Sequence, residues 1–235
     1  MSGTPARSPL RIAVAQPPCV AYDVEANVSA HAALVRAAAS RVVVFPELSL
    51  TGYELDAPAL DPTDPRLTPL VEACTQTGTL ALAGAPVAGE HIATLAVDHT
   101  GARVAYRKMS LGTVEARRFA PGPEPVVLTV DGWRLGLAIC KDTGVPEHAA
   151  RTCAFGVDVY VASVVDHAAD TAVQDERALR ISTTHRVVVA TASFAGSTGG
   201  GFVETAGRSA IWASDGAVLA RAGTTPGEFA RVTLT

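Results

Sequence analysis

The feature that most restricts this chain is a set of short aliphatic runs that stop abruptly at polar or turn-forming residues. RVVVF (41–45) halts at Pro46-Glu47, LGLAI (135–139) at Cys140-Lys141-Asp142, and VDVYVASVV (157–165) at Asp166. Such runs, with VVVATASF (187–194), suit strands covered on both faces. Segments of helical length alternate with them. Asp23–Ala39 is Ala-rich with Asp23 as N-cap, a second helix ends at Gly78, a third covers His148–Phe155, and a longer one runs from about Asp170 to His185. Further strands are expected at 11–15, 80–83, 92–97, 102–107, 126–130 and 134–139, with three more in SAIWAS, AVLAR and FARVTL. His99–Gly101 and Asp131-Gly132 mark tight antiparallel turns. The pattern predicts an α/β fold of layered sheets rather than a doubly wound parallel sheet.

The 235 residues fit one large domain spanning 1–235. Apolar residues make up 48% of the chain, which argues against disorder. The net charge is -4 and no basic stripe is visible, so a nucleic-acid partner is not expected. MSGTPARSPL lacks the apolar core of a signal peptide, and the apolar runs fall well short of the roughly 20 residues that span a bilayer. A cytoplasmic protein with no membrane partner is the expectation. Four cysteines (Cys19, Cys74, Cys140, Cys153) form no C-x-x-C pair, which argues against a zinc site or a disulfide framework. No metal or cofactor is called for, and a free thiol is left for chemistry.

Three blocks carry that chemistry. In VVVFPELSLTGYEL a buried strand delivers Glu47 at its edge, where apolar neighbours would raise its pKa toward a general-base range. In YRKMSLGTVEARRFAPG, Lys108 ends a strand with Glu115 in the following loop, and carboxylates nearby would keep the ammonium charged. In LGLAICKDTGVPEHAA a strand runs straight into Cys140, and backbone N–H groups of the turn lie ready for an oxyanion. Taken singly, each has a plainer reading: a solvated carboxylate, a surface ion pair, a buried structural thiol. Cys19, Cys74 and Cys153 are assigned to the last of these.

Together and in this order the blocks resemble the nitrilase (carbon-nitrogen hydrolase) superfamily, in its amidase-like branch. The matching residues are Phe45, Pro46, Glu47, Gly52 and Tyr53, then Lys108, Leu111, Glu115, Pro121 and Gly122. They continue with Gly136, Ile139, Cys140, Asp142, Pro146 and Glu147, then Arg177-Ala178, and last Gly207, Ser209 and Gly216. The resemblance implies a four-layer α-β-β-α sandwich that commonly dimerises. It also implies catalytic Glu47, Lys108, Cys140 and Glu115. The chain departs from the family at Lys141, where an aromatic or small residue is often found, and in lacking an asparagine near the end of VVVATAS.

The chemistry expected is hydrolysis of an amide or carbamoyl amine through a thioester. Cys140 is the nucleophile, Glu47 the base, and Lys108 with the backbone N–H of Lys141 the oxyanion donors. Lys108 is expected to favour the Cys140 thiolate. Three rivals remain at this stage: nitrile hydrolysis, a Cys-His hydrolase using His148 or His167, and a non-catalytic binding module of the same fold. The six histidines read as surface or loop residues. The glycine cluster Gly196–Gly201 lacks the lysine and helix of a phosphate loop and reads as a flexible loop near the pocket or a subunit interface.

Among 19 basic side chains only Lys108 and Lys141 are lysines. A guanidinium keeps the charge but is larger and forked. Lys108→Arg is therefore expected to abolish turnover, since displacements of about 1 Å already cost on the order of a hundredfold in rate. Lys141→Arg, which preserves the backbone N–H, is expected to retain most of it. Steady-state kinetics on both variants, with melts to check folding, reads the difference.

Overall fold

The computed structural model describes residues 7–235; positions 1–6, where the absence of a leader was partly read, lie outside the described residues. Strands β1 (Leu10–Ala15), β2 (Val42–Val44), β3 (Leu80–Val87), β4 (His91–Asp98), β5 (Gly101–Arg107) and β14 (Phe229–Leu234) make one sheet, in the order β14-β1-β2-β3-β4-β5. The second sheet runs β13-β12-β9-β8-β7-β6. Its members are β6 (Val127–Val130), β7 (Trp133–Ile139), β8 (Val159–Val164), β9 (Val188–Ser193), β12 (Ala210–Trp212) and β13 (Val218–Arg221). A two-stranded ribbon, β10 (Ala195–Gly196) with β11 (Thr205–Ala206), completes the set.

Period-2 alternation sorts these strands into layers. Ile12, Val14, Val42, Val44, Leu80 and Leu82 of the first sheet share one core with Leu135, Leu137, Ile139, Val159, Val161 and Ala190 of the second. The intervening Ala13, Ala15, Val43, Ala81 and Ala83 point the other way, onto helices α1 (Val24–Ala38) and α2 (Thr68–Thr77). Ala138, Tyr160, Ala162, Val164 and Val189 likewise turn toward α3 (Pro146–Cys153) and α4 (Thr171–His185). The result is the four-layer α-β-β-α sandwich. Small alanines on the helix-facing sides let the helices approach closely.

Each sheet is mixed. β1-β2-β3 and β7-β8-β9 are parallel cores, and their outer neighbours are antiparallel. The expectation of layered sheets holds, while the parallel triplets at their centres were not anticipated. The hairpin between β6 and β7 turns at Asp131 (φ 50) and Gly132 (φ 84), the two positive φ values of a type I′ turn. Asp23 caps α1 by accepting from the Ala26 N–H at 2.9 Å. Among the described residues no helix is long and apolar enough to cross a membrane.

Gly136 shows how tightly the second sheet meets its helices. A Cβ there would stand 2.6 Å from Thr152 Cγ2 and 2.9 Å from Val157 Cγ2. Gly136→Ala is therefore expected to destabilise the fold by about 1–3 kcal/mol through overpacking. A lowered urea midpoint with an unchanged m-value would report this; an unchanged midpoint would mean the α3 layer yields freely.

Candidate active site

Three of the singled-out residues leave their strands at neighbouring points of the sandwich. Glu47 follows β2, Lys108 follows β5 and Cys140 follows β7. Parallel strands whose carboxyl ends face one region bring distant loops together there. The turn carrying Glu47 lies directly on β3 at Gly84. Leu50 N–H donates to the Gly84 carbonyl at 2.9 Å, and Gly84 N–H donates to Ser49 Oγ at 3.2 Å. A side chain at 84 would strike Leu48 N at 2.2 Å and Pro46 O at 2.6 Å. Leu48 adopts φ 51 and Cys140 φ 42, left-handed values that cost non-glycine residues on the order of 1–3 kcal/mol. Both acyl-transfer candidates therefore sit in or beside strained turns.

At the centre is the Lys108 ammonium, 1% exposed. It donates to Glu47 Oε1 and to Glu115 Oε1, each at 2.6 Å. The two carboxylates differ in what else they receive. Glu115 also accepts from Tyr53 Oη at 2.6 Å and from the Gly112 N–H at 2.6 Å. Burial alone would raise Glu115, but Lys108, Tyr53 and Gly112 outweigh it and hold the carboxyl below its usual range. Glu47 is fully buried, and its Oε2 has no partner among the described residues. Burial lifts it to about 7 against the pull of Lys108, with Glu115 adding to the rise. Lys108 itself stays above its ordinary value: burial opposes the charge, but the Glu47, Cys140 and Glu115 charges prevail.

Cys140 is half-buried, with its thiol 3.5 Å from the Val165 carbonyl oxygen and close enough to the Glu47 carboxylate for that charge to raise it. The expectation of a resting thiolate is corrected here. Burial and the Glu47 charge push the thiol well above its ordinary range, and Lys108 only partly offsets them. A protonated thiol thus faces a carboxylate whose titration is centred near neutrality. Lys141 is the second residue of the 3-10 segment Cys140–Gly144, and the first N–H groups of such a segment have no acceptor within it. Its ammonium lies against the Leu111 carbonyl at 2.7 Å rather than in the site.

Asp142, quoted only as part of a motif, ties two of these loops together. Its Oδ2 accepts from the Ile139 N–H at 3.0 Å and from Tyr106 Oη at 2.7 Å, and its Oδ1 accepts from the Ser110 N–H at 2.8 Å. Tyr106 precedes Lys108 by two residues, a spacing that places both on one strand face and could have flagged it. The reading of all histidines as surface or loop residues fails for two of them. His31 and His148 are buried, each hydrogen-bonded through both ring nitrogens. His148 bonds Tyr106 and Tyr160, with no bond to Cys140; His167 stacks on Phe202 at 4.2 Å. Phe202 in turn meets Tyr53 edge-on at 4.9 Å, and Tyr53 N–H donates to the Thr198 carbonyl at 2.8 Å. The glycine-rich loop thus lies beside the Glu115–Tyr53 side of the cluster.

Among the other resembling residues, Ala178 packs in the helix-side core, while Arg177 stands 3.6 Å from Asp166 just beyond Val165. Ser209 bonds Ser193 of β9, and Gly207 (φ 57) and Gly216 (φ 91) turn the chain on either side of β12.

The carbon-nitrogen hydrolase family pattern matches residues 11–234. This chain belongs to that family. A Pseudomonas protegens protein named "Hydrolase in pqqF 5'region" is 29% identical over 230 residues, covering 91% of this chain and 79% of its own length. Among solved structures, a variant of the Nesterenkonia AN1 amidase from the nitrilase superfamily superposes with a TM-score of 0.87 at 22% identity. That likeness covers 99% of this chain and 93% of the amidase. Saccharomyces cerevisiae Nit3, of branch 10 of the same superfamily, gives 0.85 at 18% identity over 96% of this chain and 90% of its own. Likenesses at this identity establish the fold. For this carbon-nitrogen hydrolase the family fixes the reaction class as hydrolysis of a C–N bond.

Because the Glu47 turn rests on the bare Cα of Gly84, Gly84→Ala must displace it. The expected result is a folded protein whose kcat falls on the order of a hundredfold, since about 1 Å of misplacement suffices for that. Circular dichroism together with kcat checks both halves; full activity would show that the turn tolerates the shift.

Proposed function

We propose that this carbon-nitrogen hydrolase cleaves a small amide or carbamoyl amine to a carboxylic acid and ammonia or an amine, through a thioester on Cys140. The observation that carries the reading is the buried Glu47. One of its oxygens is fixed by Lys108, the other has no partner among the described residues, and the Cys140 thiol is near enough to be raised by its charge. Two carboxylates on one ammonium, pushed apart in pKa, are the signature of a divided acid–base role.

The chemistry follows. Glu47 takes the thiol proton as sulfur attacks the carbonyl carbon. Lys108 and the Lys141 N–H stabilise the tetrahedral oxyanion, each donor contributing roughly 3–4 kcal/mol where such donors have been removed elsewhere. On collapse the C–N bond breaks and protonated Glu47 gives its proton to the leaving nitrogen. Water then adds to the thioester with Glu47 again as base, and the proton returns to sulfur as the acid departs. Glu115 keeps Lys108 in place and stays ionised throughout. The Nesterenkonia sp. AN1 amidase, one of whose mutants was solved in complex with acrylamide, supports a small amide substrate. Cys140-Lys141-Asp142, unlike the Cys-Trp-Glu of many nitrile-cleaving members, favours amides over nitriles. A homodimer belongs to the same proposal. The exposed apolar side chains Val173 and Leu179 on α4 and Val218 and Leu219 on β13 support it.

Glu47 works as a base only when ionised, and burial raises it to about 7. The rate should therefore climb as pH rises through about 7 and fall below it, the limb shifting or vanishing in Glu47→Gln. Iodoacetamide should alkylate Cys140 before Cys19, Cys74 or Cys153, with the same pH dependence. Ammonia release from a panel of amides, carbamoyl amines and nitriles, together with peptide mapping, tests the whole. Preferential labelling of another cysteine with activity intact, or better turnover of nitriles, would overturn the corresponding part.

A further inference from the structure

Building on that reading of Cys140 and Glu47, we infer that His148 is a positioning residue for the nucleophile. It sits between Tyr160 and Tyr106 and aims the Tyr106 hydroxyl at Asp142, the side chain that ties the Cys140 turn to the Lys108 loop. The distances set the direction of every proton. Tyr106 Oη has a single hydrogen and gives it to Asp142 Oδ2 at 2.7 Å. At 2.9 Å from His148 Nε2 it must therefore accept, so Nε2 carries the imidazole proton. Nδ1 is left as an acceptor and takes the Tyr160 hydroxyl proton at 2.9 Å. One tautomer satisfies all three groups, and it is the neutral one.

The surroundings hold it neutral. Burial lowers His148 below the usual imidazole range, Asp142 pulls the other way, and Arg151 of the same helix adds to the lowering. The 3.9 Å approach of Nε2 to Asp142 is thus not an ion pair. The chain of contacts runs from β8 through α3 to β5 and ends on the backbone of Ile139 and Ser110. Those two residues flank, one step before and two steps after, Cys140 and Lys108. Cys140 holds a left-handed φ of 42, a conformation that persists only when its surroundings determine it. The same network removes His148 as the base of a Cys-His hydrolase, since both its nitrogens are engaged away from sulfur.

Two variants separate the arms. The amide nitrogen of Gln reaches the place of Nε2, so His148→Gln keeps the donor to Tyr106 and loses the acceptor for Tyr160. The amide oxygen of Asn takes the place of Nδ1, so His148→Asn keeps the acceptor and loses the donor. The readouts are the rate of iodoacetamide alkylation mapped to Cys140 from pH 5 to 9, kcat and KM on an amide the wild type hydrolyses, and thermal melts. His148→Asn should slow alkylation and kcat at least tenfold with KM within twofold. His148→Gln should stay within threefold of wild type, and both should keep the inflection near 7 that belongs to Glu47. Equal rates in the two variants, the reverse order, or rates no lower than wild type would overturn the proposal. Loss of the inflection in both would overturn it too, by making His148 the base. Should His148→Asn fail to fold, Tyr106→Phe carries the test: wild-type rates in that variant refute the inference. Failure of the underlying hydrolase reading looks different, because wild-type Cys140 would then not be alkylated first.

Discussion

A charged lysine with essentially no access to water is the constraint around which the site is organised. Moving an ion into a protein interior costs several kcal/mol even after relaxation, and only well-placed counter-charges offset it. Lys108 has two, Glu47 and Glu115, each at 2.6 Å. Removing the lysine would leave two buried carboxylates facing each other with no counter-charge, so the three must be built together. Their placement follows from three chain ends: the stop of β2 at Pro46, the exit of β5 into Lys108, and the turn at Gly112 that hands its N–H to Glu115. The ammonium is the point where the first sheet, its following loop and the nucleophile's turn meet.

What distinguishes the two carboxylates is the number of donors. Glu115 has three, from Lys108, Tyr53 and Gly112, and is held ionised. Among the described residues Glu47 has one fixed donor and a second oxygen without a partner, and burial lifts it to about 7. An unsatisfied buried oxygen is costly to stability. Here it is also a free acceptor on the group proposed to take the thiol proton. The protonated thiol and the raised carboxylate belong together, because burial disfavours the charged form of both.

Strain and bracing are distributed in the same way on both sides of the site. Leu48 and Cys140 are left-handed, and each turn is held by a buried histidine on a neighbouring helix. His31 of α1 lies 2.8 Å from Ser49 Oγ, which accepts from Gly84 N–H beneath the Glu47 turn. His148 of α3 reaches the Cys140 turn through Tyr106 and Asp142. The helices of this sandwich therefore cover the sheets and also stiffen the loops that carry the reacting groups.

The sequence alone determined the strands of the two large sheets, most of the helices and the identity of the residues that converge, but not the short β10–β11 ribbon, whose glycine-rich segment reads as a loop. Aliphatic runs ending at Pro46, Cys140 and Asp166 have a period and length that only buried strands satisfy, and the motif residues around Glu47, Lys108 and Cys140 are local patterns. It did not determine protonation or burial. The thiol was read as ionised because a lysine can be inferred nearby, whereas desolvation and the facing Glu47 charge exist only once the sheets have closed. His148 was read with the other five histidines as a surface or loop residue, or as the base of a rival Cys-His hydrolase. Its burial is decided by Tyr160, 12 residues later on β8, and by Tyr106, 42 residues earlier on β5. Which strands lie parallel, and therefore which loops meet, was likewise settled by packing between sheets. Local spacing encodes which groups a turn can present, while dielectric, partner count and proton direction are properties of the space that distant segments enclose.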